Sequence, residues 1–211
     1  MTYSVYEMYL SVQGEGANTG RPAVLCRFAG CNLWSGREID RANAICRFCD
    51  TEFRGTQGPG GGRFKCAAEL AAAVAATWST AINPEPFVVL TGGEPLLQID
   101  RELIDSLHDA GFEIAVETNG TLPAPSGLDW ICVSPKARAP LRLKAGDELK
   151  VVYPQVGLDP ASLESLAFRH RFLQPCDGPN LHANTRAAQR YCAEHPRWKL
   201  SLQTHKLIGI P

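Results

Sequence analysis

The chain has almost no net charge: 21 lysines and arginines against 22 aspartates and glutamates leave -1 at pH 7, with an isoelectric point of about 6.5. A nucleic-acid partner calls for a basic face, so no nucleic acid is expected as a direct substrate. Long apolar runs are missing as well. None reaches the length of a transmembrane span, and Met1-Thr-Tyr-Ser-Val5 has neither the basic start nor the apolar stretch of a signal peptide. No membrane association is expected, and the cytoplasm is the expected compartment. Neither an internal repeat nor a linker divides the 211 residues, so one domain is expected over 1–211, and 45% hydrophobic with 20% charged residues suffices for a sizeable core.

Cysteine, by contrast, is plentiful, with eight in all. In a reducing compartment these are not expected to form disulfides, and clustered ones point to metal or redox chemistry. Fourteen residues separate Cys31 from Cys46 and two separate Cys46 from Cys49. Three thiols suit a 4Fe-4S cluster with one iron left open to a ligand. Two other readings stand beside it: a four-cysteine zinc site that recruits Cys26, and a redox Cys-x-x-Cys. Cys26, in Ala23-Val-Leu-Cys-Arg-Phe-Ala29, reads as a small buried strand residue. Cys66, Cys132, Cys176 and Cys192 are scattered and fall outside the cluster.

Along the chain, residues 1–22 read as a β-rich extension, and a strand over 23–29 delivers Cys31. Residues 32–45 form an irregular insert between cysteines and 57–63 a flexible loop, neither reading as core. Then strands (87–91, 112–118, 129–134, 148–153, 170–174, 199–204) alternate with helices (65–80, 100–110, 160–166, 184–195). This is a wound α/β pattern, and its missing or small helices predict an open, partial, TIM-like barrel of (β/α)6 type. The distinctive residues fall where strands end, which in β/α barrels is the active face.

Thr91-Gly-Gly-Glu-Pro95 ends an apolar strand with two residues that lack side chains, so backbone can approach a ligand; a plain strand-to-helix turn is the alternative. With the three cysteines, and Phe48 before the last, it resembles the radical S-adenosylmethionine superfamily, whose modified core the barrel would be. The superfamily's usual gap between the first two cysteines is three residues, against fourteen here; the longer loop adds only slowly growing closure entropy. Ser11-Val-Gln-Gly-Glu-Gly16, Arg27-Phe-Ala-Gly-Cys-Asn-Leu33, Cys49-Asp-Thr51, Glu117-Thr-Asn-Gly120, Ser134-Pro-Lys136 and the terminal segment extend the likeness over nearly the whole chain. Together they are similar to the 7-carboxy-7-deazaguanine synthase family.

The resemblance implies ring contraction of 6-carboxy-5,6,7,8-tetrahydropterin to 7-carboxy-7-deazaguanine with loss of ammonia, on the path to queuosine. It implies a homodimer, Mg2+, S-adenosylmethionine used without net consumption, and a flavodoxin or ferredoxin as electron donor. Cys31, Cys46 and Cys49 would hold the cluster. Phe48, Cys49, Asp50, Gly93, Glu94, Ser134, Pro135, Lys136, Gln174, Pro175, Cys176 and Asp177 match positions around S-adenosylmethionine. Thr51 would supply a hydroxyl to magnesium, a helix N-cap being its alternative. Val12, Gln13, Gly14, Arg27 and Thr91 match substrate contacts, Arg27 offering a bidentate fork. Glu15 would accept from the pterin edge or else be a solvated loop carboxylate. Pro211 would bring the terminal carboxylate to the substrate, helped by docking of apolar 207–211, against a frayed terminus. His205 and Lys206 are further candidates, a satisfied core histidine being the other reading of His205. A radical activase acting on a protein partner, and a zinc-stabilised binding module, are the competing functions.

Overall fold

The computed structural model describes residues 1–78 and 85–210; the end of the first expected helix (79–80) and Pro211 lie outside them. β1 (Tyr3–Val12) and β2 (Pro22–Phe28) pair antiparallel. β3 (Gly62–Phe64) joins the other side of β1. From β2 onward the sheet is parallel, through β4 (Phe87–Gly92), β5 (Glu113–Thr118), β6 (Trp130–Val133), β7 (Ala145–Tyr153), β8 (Ala167–Pro175) and the two-residue β9 (Lys199–Leu200). The order β3-β1-β2-β4-β5-β6-β7-β8-β9 makes one open sheet of nine strands, the partial barrel that the alternation predicts.

β4 shows why the centre is parallel. Phe87, Val88, Val89 and Leu90 are all fully buried, as a strand covered on both faces requires. On one face α1 (Ala67–Thr77) turns Leu70, Ala71 and Val74 inward, and α2 (Arg101–Asp109) turns in Leu103, Ile104 and Leu107. Asp100 caps α2, accepting the Leu103 N–H at 3.0 Å and the Tyr3 hydroxyl at 2.6 Å, which ties the helix to β1. A second cluster packs α3 (Leu181–Glu194), through Ala188 and Tyr191, on Val133, Leu149, Val151 and Leu173. Among the described residues no helix is long and apolar enough to cross a membrane.

Four expectations need correction. The stretch 160–166 is a 3-10 turn over Pro160–Leu163, not an α-helix. The last strand stops at Leu200, because the Thr204 N–H and hydroxyl both donate to Gly14 O at 2.9 Å and draw the chain off the sheet into α4 (Thr204–Ile208). The loop at 57–63 is not free: Met8 N–H donates to Pro59 O, Gly58 N–H donates to Tyr6 O, and its end becomes β3. The insert 32–45 does reach the core, since Leu33 and Trp34 are buried.

Candidate active site

The C-terminal ends of the parallel strands open into one cavity of about 520 Å³. Cys31, Cys46 and Cys49 all line it. The insert is folded back by its own bonds: Ile45 and Cys46 N–H groups both donate to Leu33 O. Trp34 packs edge-on against Phe53, centroids 5.6 Å apart, and the Arg41 guanidinium lies 4.0 Å over the indole. From there Arg41 donates to Cys49 O at 3.1 Å and Arg47 O at 2.9 Å. Across the cavity, the Glu94 N–H donates to Gly30 O at 2.9 Å. A Cβ at Gly93 would collide with that carbonyl, which is why the strand end needs glycine beside the first cysteine.

The Cys46 thiol hydrogen-bonds to Cys49, holding Cys49 down at about 6 and pushing Cys46 up. Lys136 supplies the nearby positive charge; its Nζ donates to Ser134 O and Oγ at 2.7 Å and sits 6.0 Å from the Phe48 ring centre. Cys26 lies fully buried in the core, where desolvation raises its thiol to about 12. That placement removes the fourth ligand of the zinc reading. Among the described residues, no three His, Cys, Asp or Glu side chains stand together as ligands for a single metal ion.

Of the positions matched to S-adenosylmethionine, Phe48, Cys49, Asp50, Gly93, Ser134, Lys136, Gln174, Pro175, Cys176 and Asp177 line the cavity. Two do not. Pro135 is turned into the interior, where its carbonyl accepts from Gln155 at 3.4 Å. The Glu94 side chain is fully buried, accepting from Thr118 Oγ1 at 2.7 Å, Leu96 N at 3.0 Å and Asn119 N at 2.8 Å, so it braces the ends of β4 and β5. Burial raises its carboxyl against those three donors. Thr51 lines the cavity with no helix beginning behind it, and its hydroxyl lies 3.5 Å from Asp50 Oδ1; the N-cap alternative falls.

Val12, Gln13, Gly14, Glu15, Arg27, Thr91 and His205 gather on the same cavity. Arg27 is both cavity wall and ion pair, its Nε donating to Glu7 at 2.7 Å. Glu15 is not solvated. Its carboxylate takes Lys150 Nζ at 2.6 Å, Gln203 Nε2 at 2.9 Å and Gln174 Nε2 at 3.0 Å. Burial alone would raise it, but the Lys150 charge and these donors outweigh burial and hold it at about 2. The His205 ring packs on Gly14, whose Cβ it would exclude. Lys206 bridges Asp50 and Asp177 at 2.6 Å each. Docking of the tail is thus polar at Lys206 and apolar at Ile210, which lines the cavity; Leu207 and Ile208 stand 69% and 67% exposed, against the docking expected of them.

Lys150 went unnoticed in the sequence. It is 5% exposed and also bonds Glu117 at 2.9 Å, while Thr91 Oγ1 donates to the other Glu117 oxygen at 3.3 Å. The available signal was period-two alternation in Glu148-Leu-Lys-Val151: apolar residues face α3, charged ones the cavity side. Two carboxylates share one buried lysine, in charge-assisted hydrogen bonds.

No family model matches the chain. It is 59% identical over 212 residues to the 7-carboxy-7-deazaguanine synthase of Bordetella pertussis, covering 100% of each chain. It is 60% identical over 210 residues to that of Bradyrhizobium diazoefficiens, again covering 100% of both. The chain belongs to the 7-carboxy-7-deazaguanine synthase family. This is a family of radical S-adenosylmethionine enzymes, which implies a 4Fe-4S cluster and S-adenosylmethionine. The crystal structure of QueE from Escherichia coli superimposes with a TM-score of 0.72 at 26% identity, covering 96% of this chain and 94% of that one. The activase and zinc-module readings are set aside by this membership.

Proposed function

We propose that the chain forms 7-carboxy-7-deazaguanine from 6-carboxy-5,6,7,8-tetrahydropterin with loss of ammonia, as a homodimer served by a flavodoxin or ferredoxin. One observation carries the reading: the three thiols, the Ser134–Lys136 pair and the Gln13, Arg27 and Thr91 side chains all face one cavity. The donor set fits a 4Fe-4S cluster, a group that thiolates ligate: Cys31, Cys46 and Cys49 on one cavity would hold it. When bound, the cluster and S-adenosylmethionine supply the one-electron chemistry that opens the reaction.

The protein's part is to orient and to shield. Gly93, without a side chain, lets the strand end pack directly on Gly30 beside Cys31, which fixes the backbone next to the first thiol. Lys136, pinned by Ser134, places a cation next to the thiols. Arg27, fixed by Glu7 at its Nε and by the Tyr9 hydroxyl 3.4 Å from its Nη2, offers its Nη1 side to a substrate carboxylate. Glu117, Thr91 and Gln13 present acceptors and donors to the pterin edge. The Thr51 hydroxyl beside Asp50 suits magnesium, a hard ion content with one or two protein oxygens, water and substrate.

Anaerobic reconstitution with iron and sulfide tests this. With S-adenosylmethionine, a reduced flavodoxin and the carboxypterin, ammonia and 7-carboxy-7-deazaguanine should appear in equal amounts, and magnesium should raise the rate in the parent far more than in Thr51→Val. A loaded cluster that leaves the carboxypterin unchanged ends the proposal.

A further inference from the structure

The motif Ser11-Val-Gln-Gly-Glu-Gly16 ends in a glycine that does not line the cavity. Gly16 has φ +68 and opens a 3-10 turn over Gly16–Asn18. Against this turn lies Glu148 of β7, 3% exposed. Its Oε2 accepts the Ala17 N–H at 3.0 Å, and its Oε1 faces the Cys132 thiol at 3.5 Å. A Cβ at position 16 would collide with this carboxylate, so glycine here is the condition for the carboxylate to reach the turn. The Gly16 N–H is itself taken by Ser201 Oγ at 2.9 Å.

Two residues further along the same strand, on the same face, Lys150 holds the Glu15 carboxylate. β7 therefore grips the loop twice, by a backbone amide at Ala17 and by a side chain at Glu15. We infer that Glu148 is a positioning residue: it sets the height of residues 13–17 over the sheet and so the aim of Gln13, Gly14 and Glu15 into the cavity. The inference rests on the reading of that loop as the substrate's. The Ala17 N–H needs an acceptor oxygen from Glu148, and a carbonyl oxygen meets that need as well as a carboxylate. A neutral amide of the same shape should serve.

The test compares the reconstituted holoenzyme of the parent with Glu148→Leu and Glu148→Gln. Hydrogen exchange is followed in the peptide that contains Ala17, alongside KM for the carboxypterin, kcat, iron content and S-adenosylmethionine affinity. Glu148→Leu should speed exchange and raise KM by about tenfold each, the loss of roughly one hydrogen bond. Its kcat should stay within about threefold of the parent, with iron content and cofactor affinity unchanged. Glu148→Gln should restore both readouts to within about twofold of the parent. Should the leucine variant not load iron, Gly16→Ala, which pushes the carboxylate away from the turn, should raise KM in its place. Unchanged Ala17 exchange in the leucine variant overturns the inference, as does a glutamine variant as impaired as the leucine one, or normal KM in Gly16→Ala. Faster exchange with unchanged KM upholds the grip on the loop and overturns instead its assignment to substrate, which Glu15→Gln checks separately.

Discussion

Lys150 is the single side chain on which most of the cavity's electrostatics turns. Its ammonium pairs with Glu15 and Glu117 at once inside the fold, and removing one partner of a buried pair costs about 3 to 5 kcal/mol. Lys150→Met should therefore lower the thermal midpoint by roughly 6 to 20 °C for a chain of this size; a drop below about 3 °C would contradict the role. The pH dependence has a definite sign. Glu15 ionises at about 2 in the fold against an ordinary 4.5. The stability it contributes is complete above the unfolded value and is lost as pH falls from there through the folded one. Urea unfolding between about pH 4.5 and 2 should show that loss in the parent and a shallower one in Glu15→Gln. Equal slopes in the two proteins would place the depressed carboxylate elsewhere.

At the scale of elements, the turn after β4 is held by Glu94 rather than opened by it. Three donors converge on one buried carboxyl. Leaving them unpaired costs on the order of 1 to 3 kcal/mol apiece, so chemical denaturation of Glu94→Ala should show a loss of about 3 kcal/mol or more, and Thr118→Val about 1. A variant as stable as the parent would mean that the strand ends need no brace. The same turn shows what the sequence could and could not tell. Apolar runs announced β4 and β5, and spacing put three cysteines and the Gly-Gly pair at one end of the sheet, because strand burial and loop glycine are local properties. The aim of the Glu94 side chain depends on Thr118 and Asn119, more than twenty residues away, and local pattern does not reach that far. Likewise the insert read as irregular because its one regular piece is a short 3-10 helix, Glu38–Asn43, steadied by Arg41 stacking on Trp34, a pairing without periodicity.

Across the whole molecule, the C-terminal helix α4 closes what the open sheet leaves ajar. It joins residues from the first strand's end, the cysteine loop and the turn after β8: Thr204 holds Gly14, and Lys206 holds Asp50 and Asp177. The lysine is 39% exposed, so each pair is worth less than about 1 kcal/mol. Lys206→Met should accordingly speed amide exchange at residues 206–207 by roughly threefold to tenfold without altering exchange in β4. The parent should approach the variant as salt is added. Protection that ignores both charge removal and salt would show that the helix is held by other means.

The stacked arginine and tryptophan in the insert carry one more implication, for the order in which the enzyme matures. Arg41 over Trp34, Trp34 against Phe53 and the Arg41 bonds to Arg47 O and Cys49 O shape the cysteine loop without using a thiol, and the apolar clusters contain none of the three candidate ligands. On those contacts the loop is expected to act as a mould set before the inorganic part is cast. Protein purified in air and stripped of iron should keep its circular dichroism and cooperative melting, lacking only colour, and should accept iron and sulfide without refolding. A chain that melts out on chelation would show that the casting makes the mould.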